Sequence, residues 1–489
     1  MLQLLLGGSG SGKTTLLYQR IRARAEKGEK SILLVPEQFT SSTEGRIYRE
    51  LGDALSGMVE SFSFTSLAEK ILSTEGGAAV QTLSDAGRAV LVRRALEELQ
   101  DNVHYYHRHR RSAAFCQMAA QTIDELKSAG LSGQQLAQLA GACGAESGKL
   151  SELALIFQGY ETLLARSGMD PSDRLELAGA RLEEALARHS LPEFLRDRAV
   201  FIDEFDTFNA PKKRLLGALL EALPSVTVAL CDDGAPLLPG DLSLFSGAKQ
   251  VAAQLRQLAR KNGAEVAVPQ LLRKDLRHRN APGLAAVAEL LETGSCTADA
   301  PADEVRLFAA PSREEEARAA AGAIRRLMRQ GVRCGKIAVV CRDIAKYRAA
   351  VRYEFRMAEI PLYCDEPTTP EFSAPATAVR ALLEIARGAD LTENLTTLAK
   401  TGLCALSEEQ VCALENYAYT WAPTAAAWRE KFERSPKGFG EQALTEEDLR
   451  NRERAEYARA LLVGAVDAFR AKVRGVNAEA ISRAGDFCL

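Results

Sequence analysis

The sequence predicts an α/β protein: a parallel sheet interrupted by an all-helical insertion, then a partial second α/β unit and a helical region. Three observations carry this prediction. Short apolar runs typical of strands alternate with helical segments over residues 1–75. Residues 83–190 instead carry apolar positions only at helical spacing, and strand-like runs resume near residue 198. Strands that alternate with helices form parallel sheets whose two faces are both covered.

The first element is an apolar run, Leu2 to Leu6, followed by GGSGSGKTT. This stretch fits the phosphate-binding pattern G-x-x-x-x-G-K-[ST], in which glycines let the backbone approach phosphate oxygens closely. Lys13 is expected to reach the β- and γ-phosphates, and the Thr14 hydroxyl to hold Mg²⁺. The sequence therefore predicts a P-loop NTPase fold that binds ATP and Mg²⁺. The predicted nucleotide-binding residues are Gly7, Gly8, Gly10, Gly12, Lys13, Thr14 and Thr15.

Two further strands are predicted in the first domain, over residues 31–35 and from Val59. The second of them runs into the polar-aromatic segment SFSFTSLA, residues 61–68. One interpretation has Ser63, Phe64 and Thr65 contacting a nucleic-acid single strand. The other is an ordinary strand-to-helix turn with Phe62 and Phe64 in the core.

The helical insertion contains a basic segment, VHYYHRHRR, at residues 103–111. Arg and His side chains there can meet phosphates, and Tyr105 or Tyr106 can stack on a base. A solvated loop or helix face explains the same composition. A second basic run, LLRKDLRHRN at residues 271–280, is expected to be surface.

The sheet resumes with an apolar strand predicted over residues 198–204, which ends in Asp203 and Glu204. Beside a phosphate-binding loop, Asp203 is expected to hold Mg²⁺ and Glu204 to orient or deprotonate the attacking water. The alternative is a buried strand that merely ends in acids at a loop. A further strand is predicted over residues 225–233.

Beyond a small, polar linker at residues 293–303, the segment from Val305 to Asp343 is typical of strand–helix–strand. Arg342 follows the predicted strand Lys336–Cys341, at the sheet edge where ligands bind in open α/β folds. It is a candidate for the arginine that contacts the γ-phosphate. A solvated loop arginine is an equal alternative.

Composition excludes several classes of protein. The 489 residues carry a net charge of −3, so nucleic acid must be met by a local patch. The ten cysteines form no C-x-x-C pair, which argues against a zinc ribbon or an iron–sulfur motif and favours a cytosolic protein with reduced thiols. No apolar run approaches 18 residues, so no membrane span is expected.

These landmarks occur in the order found in superfamily 1 helicases of the UvrD type, which have a first motor domain split by helices. LVPEQFT, LSDAGRAVLVRRALEEL, FIDEFDTF and LENYAYTWAPTAAAW resemble the B subunits of the bacterial AddAB helicase–nucleases, over the N-terminal part of that family's length. One departure is CDDGAP, residues 231–236, where the usual Gln-containing third motif is missing. The late motifs and the family's iron–sulfur cysteines are expected beyond Leu489.

The resemblance implies an ATP-binding, DNA-binding subunit that processes double-strand breaks for recombination in the cytoplasm, beside an AddA-type helicase–nuclease partner. It implies contacts with single- and double-stranded DNA, no membrane and no iron–sulfur cluster in this portion. Hydrolysis by the chain alone is expected to be weak or absent. An active UvrD-type helicase fragment and a non-catalytic single-strand recognition scaffold with a vestigial P-loop are the alternatives.

The resemblance carries over to Gly12, Lys13 and Thr14, to Asp203 and Glu204, and to Arg342. The expected domains are a first RecA-like domain at 1–82 and 191–295, a helical insertion at 83–190, a partial second RecA-like domain at 304–385 and an incomplete helical subdomain at 386–489.

Overall fold

The computed structural model describes residues 1–77, 82–109, 112–144, 147–295, 303–364, 373–389, 391–440 and 443–473. The chain divides into two compact units, Met1–Leu307 and Phe308–Leu489. Most of the predicted linker and the end of the predicted last helical region lie outside the described residues. Within the described ranges, no helix is long and apolar enough to cross a membrane.

The first unit is built on one six-stranded sheet in which all pairs of neighbouring strands are parallel. The strand order is β3-β2-β4-β5-β1-β6. The predicted parallel sheet is therefore confirmed. Five of its six strands lie on predicted strand segments, and the sixth, residues 270–272, was not predicted as a strand. The strands are β1 Leu2–Gly7, β2 Ser31–Leu34, β3 Val59–Phe62, β4 Ala199–Ile202, β5 Ser225–Cys231 and β6 Gln270–Leu272.

Helices cover both faces of this sheet. Alternate strand residues point to opposite faces, and the apolar residues on each face pack against helices. Leu4 and Leu6 belong to one core cluster, and Leu5, between them, belongs to the other. The cluster around Leu5 contains residues of α1 and α2, and the opposite cluster contains residues of α4, α9, α10 and α11. The first unit contains, outside the insertion, the helices α1 Lys13–Ala25, α2 Thr40–Leu51, α3 Asp53–Ser56, α4 Phe64–Glu75, α9 Pro171–Ala187, α10 Ala210–Ala222, α11 Ser246–Lys261 and α12 Pro282–Thr293.

A separate helical core lies between β3 and β4 in sequence, as predicted for an insertion. Its members are α5 Asp85–Glu98, α6 Ala113–Ser128, α7 Gly133–Ala140 and α8 Ser147–Ser167. The predicted range 83–190 also contains α9, but the buried side chains of α9 pack in the core of the sheet. Apolar spacing predicts a helix, and it does not say which of two cores the helix joins.

A buried ion network ties the insertion to α9. The Lys127 ammonium on α6 lies 2.9 Å from the Asp170 carboxylate and 2.8 Å from that of Asp173. The Tyr160 hydroxyl of α8 donates to Asp170 at 2.6 Å. Asp170 is 1% exposed. Loss of one charged partner is therefore expected to destabilise the fold, since a buried ion without a partner raises the free energy of the folded state.

The described residues of the second unit form helices and connecting loops, and no strand. Strands predicted near Val305 and over Lys336–Cys341 are not formed, and this part of the prediction of a second α/β unit is wrong. A strand needs a hydrogen-bonded neighbour, and the 337–341 segment pairs with none of the described residues; Val340 stays 91% exposed. The helices are α13 Arg313–Arg329, α14 Ile344–Met357, α15 Ala374–Ala386, α16 Leu391–Lys400, α17 Glu408–Trp421 and α18 Glu446–Val473.

A core shared by α15 to α18 organises the end of the chain. Trp428 is fully buried in this core, and its indole N–H donates to the Thr392 hydroxyl at 2.8 Å. Helix α15 crosses the predicted domain boundary between residues 385 and 386, and its buried residues belong to this core. The helical character predicted for this region is present from Ala374 onward.

Candidate functional site

The glycine-rich loop, residues 7–12, joins β1 to α1 at the carboxyl edge of the sheet. Gly10 and Gly12 have φ values of +82° and +90°, in the left-handed region that favours glycine. The turn at Gly12 opens α1 with no side chain capping its first backbone N–H groups and no acidic residue in the first turn. These N–H groups have no partner within the helix.

Lys13, the first residue of α1, folds back over the glycine-rich loop. Its ammonium donates to the carbonyl oxygens of Gly7 and Gly8, both at 2.8 Å, and lies 3.4 Å from the Cys231 sulfur at the end of β5. Lys13 therefore places its charge at the mouth of the loop, where a bound anion can compete for it.

Asp203 lies at the end of β4, beside the first turn of α1. It is 6% exposed, and burial raises the pKa of its carboxyl above the ordinary value. Hydrogen bonds from the Thr14 hydroxyl and the Glu204 N–H, together with the charges of Lys13 and Arg46, oppose that rise. Asp203 and Thr14 line the same cavity, and carboxylate and hydroxyl oxygens are ligands that suit Mg²⁺.

Glu204 follows in the left-handed region, with a φ of +65°. Its N–H donates to the Asp203 Oδ1 at 3.0 Å, which turns the backbone sharply at the end of β4. Burial and the neighbouring Asp203 charge raise the pKa of the Glu204 carboxyl, and Arg46 opposes this rise. A raised pKa suits a group that accepts a proton. Non-glycine residues with positive φ are uncommon, and such strain clusters at functional sites.

A cavity of about 440 Å³ collects most of the predicted residues. Gly7 and Gly8 do not line it and contribute instead the carbonyl oxygens that hold Lys13. Within the described residues, no group of three or more His, Cys, Asp or Glu side chains could hold a metal ion. The predicted residues that line the cavity are Gly10, Gly12, Lys13, Thr14, Thr15, Asp203 and Glu204.

The segment after β6 closes one side of this cavity, although the sequence predicted it to be surface. The Leu276 N–H donates to the Gly10 carbonyl at 3.0 Å, and the Arg277 guanidinium donates to the Ser9 hydroxyl at 3.1 Å. Asp275 holds the turn by accepting the N–H groups of the two residues that follow Leu276, each at 3.0 Å. The sequence signal for this closing segment was a basic run that follows a short apolar run. This signal is weak because the strand β6 is only three residues long.

Arg46, on α2, is a second lining residue that sequence reasoning missed. Its guanidinium lies 4.9 Å from the centre of the Tyr18 ring. No local pattern distinguishes Arg46 from the solvated arginines of other amphipathic helices, so the sequence held no signal for it.

Arg342 lies in the second unit, in the loop that precedes α14. The neighbouring Asp343 pairs with Lys346 at 2.8 Å across the start of that helix. The role predicted for Arg342 at the γ-phosphate stays a prediction.

The segment at the end of β3 adopts the strand-to-helix turn. Ser63 caps α4 through a reciprocal capping box with Ser66, and Phe64 is 2% exposed, with its ring 5.2 Å from that of Phe205. The Thr65 hydroxyl stays at the surface, hydrogen-bonded to the Glu37 carboxylate. Of the three residues proposed to meet a single strand, Phe64 belongs to the core and Thr65 is accessible.

The basic segment of the insertion is pinned by one carboxylate. Glu152 on α8 accepts the backbone N–H groups of residues 104, 105 and 106 at 2.8 to 3.1 Å. Tyr105 is 60% exposed, and Tyr106 packs on Phe115, 5.2 Å between ring centres. Tyr105 is thus presented to solvent on a fixed loop, and Arg110 and Arg111 lie outside the described residues.

Comparison with known proteins shows which family the chain belongs to. Residues 4–288 match the family model described as "ADDB, N-terminal". The chain is 32% identical to the B subunit of the ATP-dependent helicase/deoxyribonuclease of Desulforudis audaxviator, over 94% of this chain and 41% of that protein. The proteins of the same name from Symbiobacterium thermophilum and Clostridium perfringens are 31% and 27% identical, over 93% and 97% of this chain.

The chain spans 41% to 42% of the length of these relatives. The matched model covers the glycine-rich loop, the helical insertion, the Asp203–Glu204 turn and the closing segment at Arg277. All the elements that form the cavity therefore lie in the matched region. On the family model and the relatives together, the chain belongs to the AddB family.

Proposed function

We propose that the cavity at the carboxyl edge of the sheet binds ATP with Mg²⁺, and that the first unit is a RecA-like P-loop domain. The observation that carries the proposal is the convergence of Lys13 and Thr14 with Asp203 and Glu204 in one cavity. These residues come from two strand ends far apart in sequence. Their convergence supplies an anion site and a cation site next to each other.

The glycine-rich loop fits phosphate groups. The first N–H groups of α1 carry no side-chain cap, and the helix dipole adds positive potential at the same point. A Cβ on Gly10 would lie 2.7 Å from the Arg277 Cβ, and one on Gly12 would lie 3.1 Å from a Leu276 methyl. The closing segment thus packs directly on the loop, which leaves its N–H side for the ligand.

The acidic side of the cavity fits Mg²⁺ and an attacking water. Hard carboxylate and hydroxyl oxygens, as on Asp203 and Thr14, suit this ion. An Mg²⁺ ion held by these oxygens would neutralise charge on the phosphates. Burial and the Asp203 charge raise the pKa of the Glu204 carboxyl, which supports a role in orienting a water molecule and accepting its proton.

We further propose the role of the chain from its family. The relatives are named as B subunits of an ATP-dependent helicase/deoxyribonuclease. This chain would then be the N-terminal, motor-like part of such a protein, acting on DNA double-strand breaks in the bacterial cytoplasm beside an AddA-type partner. The exposed Tyr105 and Thr65 are candidate contacts for single-stranded DNA.

Equilibrium binding of a fluorescent ATP analogue with Mg²⁺ tests the nucleotide site. Lys13→Ala removes the ammonium at the loop mouth, and we expect at least about a tenfold loss of affinity. Lys27→Ala, an exposed position just past the same helix, is the matched control and should bind like the wild type. Equal binding by both variants and the wild type would contradict the proposal.

A steady-state ATPase assay with and without single-stranded DNA separates a motor from a recognition scaffold. A motor-like domain gives DNA-stimulated hydrolysis that Glu204→Gln abolishes while nucleotide binding remains. A scaffold binds DNA equally well in the wild type and in Lys13→Ala and shows no stimulated turnover. Turnover well above about one per second by this chain alone would contradict the expectation of weak hydrolysis.

A further inference from the structure

Arg46 stands out among the cations of the cavity because its contact within the described residues is with an aromatic ring. It lines the cavity from α2 and is only partly exposed. Its guanidinium makes no hydrogen bond and no ion pair with any described residue. Lys13 and Arg277, the other two cations of the cavity, are both hydrogen-bonded to the glycine-rich loop.

The ring of Tyr18 is the support on which Arg46 rests, 4.9 Å below the guanidinium carbon. Tyr18 is 6% exposed and follows Thr14 by four residues, so both lie on the same face of α1. Burial raises the pKa of Tyr18 to about 12, which keeps the hydroxyl protonated and the ring neutral. A guanidinium held on an aromatic face keeps its in-plane N–H donors free.

This geometry places Arg46 at the Thr14–Asp203 end of the cavity. Its positive charge acts on Asp203 and Glu204, and it lowers the pKa of both carboxyls against the effect of burial. Lys13 and Arg277 instead hold the loop itself. An anion bound in this cavity therefore meets Arg46 on α2 as well as the glycine-rich loop.

We propose that Arg46 binds the terminal phosphate of a nucleoside triphosphate, so that the cavity distinguishes a triphosphate from a diphosphate through α2. Free donors, a fixed position and a location beside the Mg²⁺-binding oxygens all suit that role, since planar guanidinium groups bind phosphate in a bidentate manner. A nucleoside diphosphate lacks this terminal phosphate, so Arg46 adds little to its binding affinity. The inference rests on the proposed nucleotide site.

The test compares the affinities of mant-ATPγS and mant-ADP, each with Mg²⁺, for the wild type, Arg46→Ala and Arg46→Lys. Arg46→Ala should weaken mant-ATPγS binding about tenfold and change mant-ADP binding by less than about twofold. Arg46→Lys should recover part of the loss, because it restores charge without the planar fork. The matched control is Arg49→Ala, one turn further on α2, whose side chain donates only to the Gly45 carbonyl at 3.1 Å.

Two results overturn the inference and differ in what else they affect. Wild-type protein that binds both nucleotides, with Arg46→Ala leaving the ratio of affinities unchanged, refutes the role of Arg46 and leaves the nucleotide site standing. Wild-type protein that binds neither nucleotide refutes the proposed site and this role together. Far-UV circular dichroism confirms that each variant is folded before its affinities are compared.

Discussion

The variant Asp203→Asn should make the empty protein more stable and at the same time remove its response to nucleotide. Burial raises the pKa of Asp203, so the folded state binds a proton at this site more tightly than the unfolded chain does. At neutral pH the ionised carboxylate therefore opposes folding. Asparagine removes that charge and keeps an oxygen to accept the Glu204 N–H, which now donates at 3.0 Å.

The two effects have opposite signs and measurable sizes. Removing an unfavourable buried charge stabilises by about 1 kcal/mol, in the usual range for single stabilising substitutions. In a unit of this size, that corresponds to a rise of roughly 2 °C in the midpoint of thermal unfolding. Saturating ATP–Mg²⁺ adds about 2.7 kcal/mol to the wild type at one hundred times the dissociation constant. The variant should lose most of that gain with its Mg²⁺ ligand.

Thermal unfolding followed by dye fluorescence, with and without ATP–Mg²⁺, measures both effects. Both tryptophans, Trp421 and Trp428, lie in the second unit, so intrinsic tryptophan emission offers an internal control for that unit. Lowering the pH should narrow the difference between wild type and variant in the absence of nucleotide, because protonation of Asp203 relieves the same unfavourable charge.

Two outcomes would refute this reasoning. A lower midpoint for Asp203→Asn without nucleotide would mean that the carboxylate stabilises the fold. An equal gain from ATP–Mg²⁺ in wild type and variant would mean that Asp203 does not support nucleotide binding.

Three other changes give distinct results. Gly10→Ala should lower the free energy of unfolding by about 1–3 kcal/mol in chemical denaturation, since φ is +82° and the new Cβ would lie 2.7 Å from the Arg277 Cβ. Gly28→Ala, with a φ of +76° and no atom within 4 Å of the new Cβ, should lose less, and an equal loss in both would contradict the packing argument. Arg277→Ala should weaken binding of the fluorescent ATP analogue about tenfold with little change in the thermal midpoint; a large fall in the midpoint would assign it a structural role instead. Lys127→Met should cost about 3–5 kcal/mol in urea unfolding followed by circular dichroism, because Asp170 would be left buried without its cation, and an unchanged midpoint would show that the network relaxes.

Local patterns predicted the parts of the site that depend on neighbouring residues in sequence. The glycine-rich loop and Lys13 follow one strand directly, and Asp203 and Glu204 follow another. The carboxyl ends of parallel strands share one edge, so the two pairs of residues were expected to meet there. The structure brings them into one cavity.

The residues that were missed reach the cavity through contacts distant in sequence. Arg277 lies at the cavity because β6 pairs with β1, with Leu6 opposite Leu271. More than half of the chain separates these two residues in sequence. A three-residue strand is too short for a periodicity to appear. Arg46 is placed by the packing of α2 on the sheet, which composition does not encode.

The strand predicted over Lys336–Cys341 shows the converse error. Its apolar and β-branched residues are typical of a strand, but strand formation depends on a neighbour that pairs with it. None of the described residues pairs with this segment. The composition of this segment therefore predicted a strand, but the segment has no partner strand among the described residues and does not form one.

The position of β1 in the sheet bears on how the protein folds during synthesis. β1 precedes both of its neighbours in the sheet, β5 and β6, in the order of synthesis. Ribosomes that add 5–20 residues per second need roughly 10 to 45 s to pass from Gly7 to Ser225. Over that interval the leucines of β1 have neither strand partner. We therefore expect the nascent chain to depend on chaperones until β5 emerges, whereas the insertion, whose helices pack on near neighbours in sequence, can fold first.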